Sequence, residues 1–408
     1  MPIWVQKFGG TSLSTREARA HAIKHVKYAL EKQVQPVVVV SAMGRRGEPY
    51  ATDTLLDLIA GNGNRLPARE TDMLLACGEI VSAVTFCSLL HEQGIASGVL
   101  TGGQAGILTD GQHGDARILH VNPARILELL NEGKVVIVAG FQGQTAAGDC
   151  TTLGRGGSDT TATALGAALG AEFVDIFTDV EGVLTADPRV VRDAQRIQRI
   201  GYHEICNMAY NGAKVIHPRA VEIAMQAQIP LRIRSTFAPV EDEGTLVSHV
   251  PGRDPNGSIR DRHVTGIAHA EHLAQIQIPI TGNSYELQLK VFKAMAAHGI
   301  SVDFINVNPS GIMYTVFDRD RPKAMRALEQ LGCEARCVSD CSKVAVIGGG
   351  INGVPGIMSR IVEALTEENI PILQTADSNT TIWVLVAGKD TVAAVRALHR
   401  KFQLHESI

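Results

Sequence analysis

From residue 263 onward the chain repeats itself at a constant offset of 70 residues, with no gap. Lys293-Ala294-Met295 and Gly299-Ile300-Ser301-Val302 overlay Glu363-Ala364-Leu365 and Asn369-Ile370-Pro371-Ile372. The apolar run 312–317 overlays 382–387, and Ala324, Arg326, Ala327 and Leu328 overlay Ala394, Arg396, Ala397 and Leu398. Each copy reads strand, helix, strand, strand, helix. This predicts two copies of one small α+β, ferredoxin-like module, 263–337 and 338–408. A duplicated module suits regulation better than chemistry.

Upstream the pattern changes. Short apolar runs at 3–8, 37–41, 135–139, 173–178 and 231–234 alternate with amphipathic or Ala-rich segments near 15–33, 68–93, 159–171 and 217–228. Nearly continuous apolar strands set between helices predict an α/β domain, a mainly parallel sheet covered on both faces, over residues 1–240. Between the two parts, residues 241–262 turn to Pro, Gly, Asp, Glu and His, the composition of a linker. With 408 residues and 45% hydrophobic content, more than one core is expected.

Lys and Arg total 38 against 42 Asp and Glu, a net charge of -4, which gives no broad electrostatic reason to bind nucleic acid or an anionic membrane. Partners are expected to be small molecules. No stretch is read as a bilayer-spanning run, and Met1-Pro2-Ile3-Trp4-Val5 enters a strand-like run without a basic leader, so the expected location is cytoplasmic. Of seven cysteines, Cys333, Cys337 and Cys341 recur every fourth residue, but no histidine or fourth thiolate lies nearby in sequence to complete a tetrahedral metal site. Reduced structural thiols are expected.

Three segments carry chemistry. Lys7 ends the first strand and precedes Gly9-Gly10, so backbone N–H groups and an ammonium can approach one anion; a plain turn is the alternative. Gly154-Arg155-Gly156-Gly157-Ser158-Asp159 precedes an Ala-rich helix, with Ser158 or Asp159 as N-cap, and Arg155 can grip a carboxylate through two hydrogen bonds. Thr178-Asp179-Val180-Glu181-Gly182-Val183-Leu184-Thr185-Ala186-Asp187-Pro188-Arg189 leaves a buried strand at the edge where open α/β sheets bind ligands. Lys214 could add a cation, although it and Arg219 read more simply as solvated charges flanking a helix.

No Gly-x4-Gly-Lys-Ser/Thr loop and no His-Arg-Asp catalytic loop occurs, so neither a P-loop enzyme nor a protein kinase is supported. Gly348-Gly349-Gly350-Ile351-Asn352-Gly353 matches a dinucleotide fingerprint. The same unit 70 residues earlier lacks the glycines, and too little sheet remains for such a fold.

Taken together, Lys7-Phe8-Gly9-Gly10-Thr11-Ser12, Val40-Ser41-Ala42-Met43-Gly44, Gly78-Glu79, Gly140-Phe141-Gln142-Gly143, the loop 154–159, Thr178-Asp179-Val180-Glu181-Gly182 and Asp187-Pro188-Arg189 make the chain resemble the monofunctional aspartate kinases of the amino acid kinase family over nearly its whole length. The repeat resembles the paired ACT modules of that family. The resemblance implies transfer of the γ-phosphoryl of ATP to the β-carboxylate of L-aspartate, the entry to lysine, diaminopimelate, threonine and methionine biosynthesis. It implies ATP with Mg²⁺ bound mainly through the nucleotide, no dedicated metal ligands, and a homo-oligomer assembled through the ACT modules.

By the same resemblance Lys7, Gly9 and Gly10 contact the phosphoryl group in flight, with Ser41 and Asp179 beside it. Thr52, Glu79, Arg155, Gly156, Gly157 and Ser158 hold aspartate, Arg155 on the α-carboxylate and Glu79 on the α-ammonium. Lys7, Phe8, Gly9, Gly10, Thr178, Asp179, Leu184, Asp187, Arg189 and Lys214 line the nucleotide site. The loop Thr281-Gly282-Asn283-Ser284-Tyr285 departs from the Asp and Pro-Gly of lysine- and threonine-sensitive members, and the sequence looks closest to the diaminopimelate-sensitive type. The implied effector is meso-diaminopimelate, with lysine or threonine as alternatives. Kinases of glutamate, N-acetylglutamate or carbamate are the rival enzymes, and a non-catalytic amino-acid sensor is the rival from another class.

Overall fold

The structure, a computed structural model, describes residues 1–60, 66–213, 215–249, 263–279, 284–351 and 353–406. Lys214, the segment Thr281-Gly282-Asn283 and Asn352 lie outside the described residues. Two compact units are present: the first comprises Met1–Val183, Arg196–Ala209 and Lys214–Arg260, the second Leu184–Gln195, Tyr210–Ala213 and Asp261–Ile408.

The first unit is built on an eight-stranded sheet. Its order is Arg199–Gly201, Thr245–Ser248, Leu231–Ser235, Phe173–Thr178, Ile3–Phe8, Gln35–Val40, Val135–Ala139 and Ser97–Leu100. From Leu231–Ser235 to Ser97–Leu100 every neighbouring pair is parallel, while Thr245–Ser248 runs antiparallel to Leu231–Ser235. Val5, Phe8, Val38, Val40, Ile137 and Val174 are fully buried, as strands covered on both faces require. Thr245–Ser248 falls inside the stretch read as linker. At four residues, with only Thr245 and Val247 buried, it offers no apolar run to recognise. The same holds for a second, four-stranded sheet of Ile118–Val121, Ile107–Thr109, Gln142–Gln144 and Cys150–Thr152.

The helix Ala68–Glu92 corrects one expectation. Its 25 residues include an 18-residue window of mean hydropathy 2.0, enough by length and composition to cross a membrane. Here Ala83, Phe86 and Leu90 pack into the core with Val38, Val40 and Ile137. Asp72 and Glu79 are buried in hydrogen bonds on the same helix.

A buried charge cluster crosses the sheet. Asp175 is wholly buried and accepts from Arg232 Nε and Nη2 at 2.6 and 3.0 Å, with Arg234 Nη1 at 3.4 Å. The Arg232 guanidinium lies 4.3 Å from the Trp4 ring and 4.2 Å from Phe173, so its planar faces are packed as well as its edges bonded.

In the second unit one antiparallel sheet runs Asp303–Asn308, Gly311–Phe317, Gly266–Pro279, Arg336–Ile347, Thr381–Ala387, Gln374–Asp377. Adding 70 to Gly311–Phe317 gives Thr381–Ala387, so the repeat maps the sheet onto itself in reversed order. The two long strands pair at the centre. The copies therefore share one sheet instead of standing apart in sequence order. One core gathers Ala274, Ile276, Val291, Tyr314 and Leu328. The other gathers Val344, Ile361, Leu365, Val384 and Leu398, and takes in Ile267 from the first long strand and Ala186 and Val191 from Leu184–Gln195. Burial raises the Cys333, Cys337 and Cys341 thiols above their usual range, and among the described residues no cluster of three metal-binding side chains includes a cysteine.

Candidate active site

Because the central strands are parallel, their C-terminal ends fall on one edge of the sheet. Thr178, Lys7 and Phe8, Val40 with Ser41, and Ala139 with Gly140 come side by side there. Lys7 and Asp159 form an ion pair at 2.7 Å, each side chain 12% exposed. Asp159 lies in the first turn of Gly157–Leu169, whose N-cap is Gly156 in the left-handed region at φ 67, so neither Ser158 nor Asp159 takes the capping role expected of them. A Cβ at position 156 would lie 2.1 Å from the His217 Cβ, which requires glycine there twice over. The partner of Lys7 was within the quoted motif, but a carboxylate at a helix start reads first as a cap.

The two glycines after Lys7 differ in kind. A Cβ on Gly10 would come 2.7 Å from the Ala42 carbonyl oxygen and 2.8 Å from that of Gly44, so the turn packs on the next loop. A Cβ on Gly9 would meet Lys7 Nζ at 3.5 Å and the Phe177 oxygen at 3.6 Å, ordinary contact. Gly10→Ala is therefore expected to lower the melting temperature. Gly9→Ala should melt like the parent protein while losing turnover, because its methyl group fills the space beside the ammonium. Thermal melts with steady-state kinetics check both. The Phe8 side chain is core, stacked on Phe177 at 4.6 Å, so only its backbone is available to a ligand.

A cavity of about 710 Å³ is lined by Lys7, Ser41, Thr52, Asp72, Phe141, Arg155, Gly156, Gly157, Ser158 and Asp159 among others. Arg155 is exposed, and among the described residues its guanidinium has no hydrogen bond or ion pair. Arg219 behaves oppositely. Read as a solvated charge, it donates to the Leu153 and Ala116 carbonyls at 2.9 and 2.8 Å and fastens the strand leading into the glycine loop.

Asp72, which no motif flagged, is 1% exposed and accepts from Thr152 N–H, Gly114 N–H and His113 Nδ1 at 3.0, 3.1 and 2.9 Å, and from the Thr152 hydroxyl. It joins three segments of the cavity wall. In sequence it follows Arg69-Glu70-Thr71 at the polar start of the helix, so nothing local set it apart.

Glu79 is 2% exposed. Its Oε1 accepts from the Ala42 N–H at 3.1 Å and its Oε2 has no partner, and burial pushes its pKa up to about 8. A buried carboxyl with one oxygen unused suits a cation. At the adjoining strand end, Asp179 accepts from Thr178 Oγ1 at 3.3 Å and pairs with Arg45 at 2.8 Å, both side chains well exposed.

Leu184, Asp187 and Arg189 belong to the second unit. Asp187 accepts from the Arg189 N–H at 2.9 Å and from its guanidinium, a bond that holds the carboxyl below its usual range. Among the described residues no cluster of three carboxylates gathers at the sheet edge, where Asp179 offers an exposed carboxylate.

An α/β domain with glycine-rich loops on its sheet edge, joined to a duplicated α+β unit, matches a class of small-molecule kinase with regulatory modules. Residues 2–235 match the model of the amino acid kinase family, and residues 336–400 match that of the ACT domain. Aspartokinase 1 of Bacillus subtilis is 52% identical, over 99% of this chain and 100% of its own. The aspartokinase of Geobacillus stearothermophilus is 40% identical, over 100% and 98%. Escherichia coli aspartokinase III in complex with aspartate and ADP superposes with a TM-score of 0.79 at 27% identity, covering 98% of this chain and 99% of that one. The chain belongs to the amino acid kinase family and, within it, to the aspartokinases.

Proposed function

We propose that this aspartokinase joins the γ-phosphoryl group of ATP to the β-carboxylate of L-aspartate, giving 4-phospho-L-aspartate, on the edge where Ile3–Phe8 and Gln35–Val40 end. The observation that carries the residue assignment is the cavity lined together by Lys7, Ser41 and the loop 155–158. It offers an ammonium at a strand end for the phosphoryl group and an uncommitted guanidinium for the acceptor's α-carboxylate. A β-carboxylate is already ionised at neutral pH and needs no general base, so positioning and charge neutralisation do the work. Lys7 and the Gly10 N–H take the transferring group, with Gly9 shaping the turn through its own N–H bond to the Phe177 carbonyl and Ser41 beside them. Thr52, Glu79 and 155–158 take aspartate, and Thr178 and Asp179 take the nucleotide. Mg²⁺ bound through the ATP phosphates supplies further neutralisation. A donor and acceptor found inside cells fit the cytoplasmic location expected from the sequence.

ADP release from MgATP should depend on aspartate. Equal release with glutamate or N-acetylglutamate would assign the site to a rival kinase.

The raised pKa of Glu79 gives this reading a pH signature. In the free enzyme the group is mostly protonated at neutral pH, whereas an α-ammonium beside it favours the carboxylate. Aspartate binding then releases a proton below about pH 8, and KM for aspartate falls as pH rises from 6 to 8. Glu79→Gln should raise KM and flatten its pH dependence. A slope unchanged in the variant would remove Glu79 from the ammonium site.

For regulation we assign an amino-acid effector to the repeated unit, with meso-diaminopimelate first and lysine or threonine as alternatives; titrating all three against initial rate separates them. Escherichia coli aspartokinase III in complex with lysine and aspartate superposes with a TM-score of 0.73 at 27% identity, over 98% of this chain and 99% of that one, in support of an amino-acid effector. A homo-oligomer formed through the same unit is supported by Asp303–Asn308, which lies at the margin of the sheet among the described residues and bears exposed Ile305 and Val307. Light scattering on Val307→Lys, expected to lower the mass, tests it.

A further inference from the structure

We propose that Asp193, His399 and His405, in the second unit, form a binding site for a divalent transition metal of the zinc class. One ligand atom from each of the three lies within 4.8 Å of the others. Donors sharing one ion at about 2.0 to 2.2 Å sit about 3.3 Å apart, so the group must close by up to about 1.5 Å. Asp193 and His405 are exposed and free to make that movement, while His399 is fixed at 1% exposure.

The fixed histidine is already prepared as a ligand. Its Nε2 lies 3.0 Å from the buried Thr185 hydroxyl, which also lies 3.3 Å from the Leu404 carbonyl oxygen and accepts the Gln195 N–H at 3.0 Å. A hydroxyl has one proton and two lone pairs. With its proton given to Leu404 and one lone pair taken by Gln195, the remaining lone pair must accept from His399, so Nε2 carries the ring proton. The lone pair is then on Nδ1, which is buried and has no hydrogen-bond partner. Metal-bound histidines are held in this way, with the second ring nitrogen donating to a fixed acceptor.

Beside the cluster a cavity of about 430 Å³ lined by Asp193 and His399 leaves room for water in the remaining coordination position. Arg192, Arg396 and Arg400 line the same cavity, and their charge disfavours any cation whose gain comes from charge alone. An ion that gains from two imidazoles, such as Zn²⁺ or Co²⁺, is favoured over Mg²⁺. Bound there, it would tie Leu184–Gln195 to the helix Thr391–Lys401 and to the chain end after it.

The full-length, untagged protein, stripped with a chelator and kept free of nucleotide, is titrated with Co²⁺ and back-titrated with Zn²⁺. The expected result is one equivalent of Co²⁺ per chain, a visible spectrum without a thiolate-to-cobalt band, and displacement by Zn²⁺. Asp193→Asn and His405→Gln change exposed side chains and should each weaken binding by at least about tenfold, and Thr185→Val by about 10- to 100-fold. Wild-type affinity in Asp193→Asn or His405→Gln, a thiolate band, or no saturable uptake overturns the proposal.

Discussion

Lys7→Met is expected to lower kcat by about two to three orders of magnitude while leaving the aspartate dissociation constant within a few-fold. Lys7 puts the positive charge at the end of a central parallel strand, beside the one turn position where a Cβ would have met only its ammonium and the Phe177 carbonyl. In the ligand-free chain that charge is matched by Asp159 at 2.7 Å. A phosphoryl group arriving with more negative charge than Asp159 competes for the ammonium, and the interaction is strongest when charge is spread over the group in flight. Loss of the ammonium thus acts on the transition state, whereas aspartate keeps Arg155, Ser158 and Glu79. Steady-state kinetics and calorimetry on one preparation separate these effects. A rise in KM at unchanged kcat would make Lys7 a ground-state ligand only.

Asp175→Ala should cost about 3 to 5 kcal/mol of stability, because it leaves two buried guanidinium groups without their carboxylate. Arg232 and Arg234 are 5% and 2% exposed, so water cannot replace Asp175. For a unit of this size that corresponds to a melting point lower by roughly 10 °C. The double variant Asp175→Ala with Arg232→Met should recover part of the loss, since the unpaired charge and not the missing contact is what destabilises. A single variant melting like the parent protein would contradict this account of the cluster.

The strands and helices that an apolar period can announce were legible in the sequence: Ile3–Phe8, Val135–Ala139, Phe173–Thr178, Arg16–Glu31 and the 70-residue repeat. Three- and four-residue strands such as Gln142–Gln144 and Thr245–Ser248 were not, because they are too short and too polar to show a period, even though each pairs with a strand nearby in sequence. The shared sheet of the two copies escaped for a different reason. Pairing between Gly266–Pro279 and Arg336–Ile347 is a matter of register, and the repeat alone is silent on register.

At the site, residues inside glycine motifs announced themselves. Asp159, Asp72 and Arg219 act through partners that lie 152, 80 and 66 residues away, Lys7, Thr152 and Leu153, which no local pattern encodes. The same distance argument explains Asp193, His399 and His405.

Trapping with hydroxylamine tests the central claim most directly. The purified chain with MgATP, L-aspartate and hydroxylamine should yield β-aspartyl hydroxamate in proportion to ADP, with none in the absence of ATP and almost none from Lys7→Met. ADP formation without hydroxamate, or equal hydroxamate from glutamate, would contradict phosphoryl transfer to the β-carboxylate of aspartate at this site.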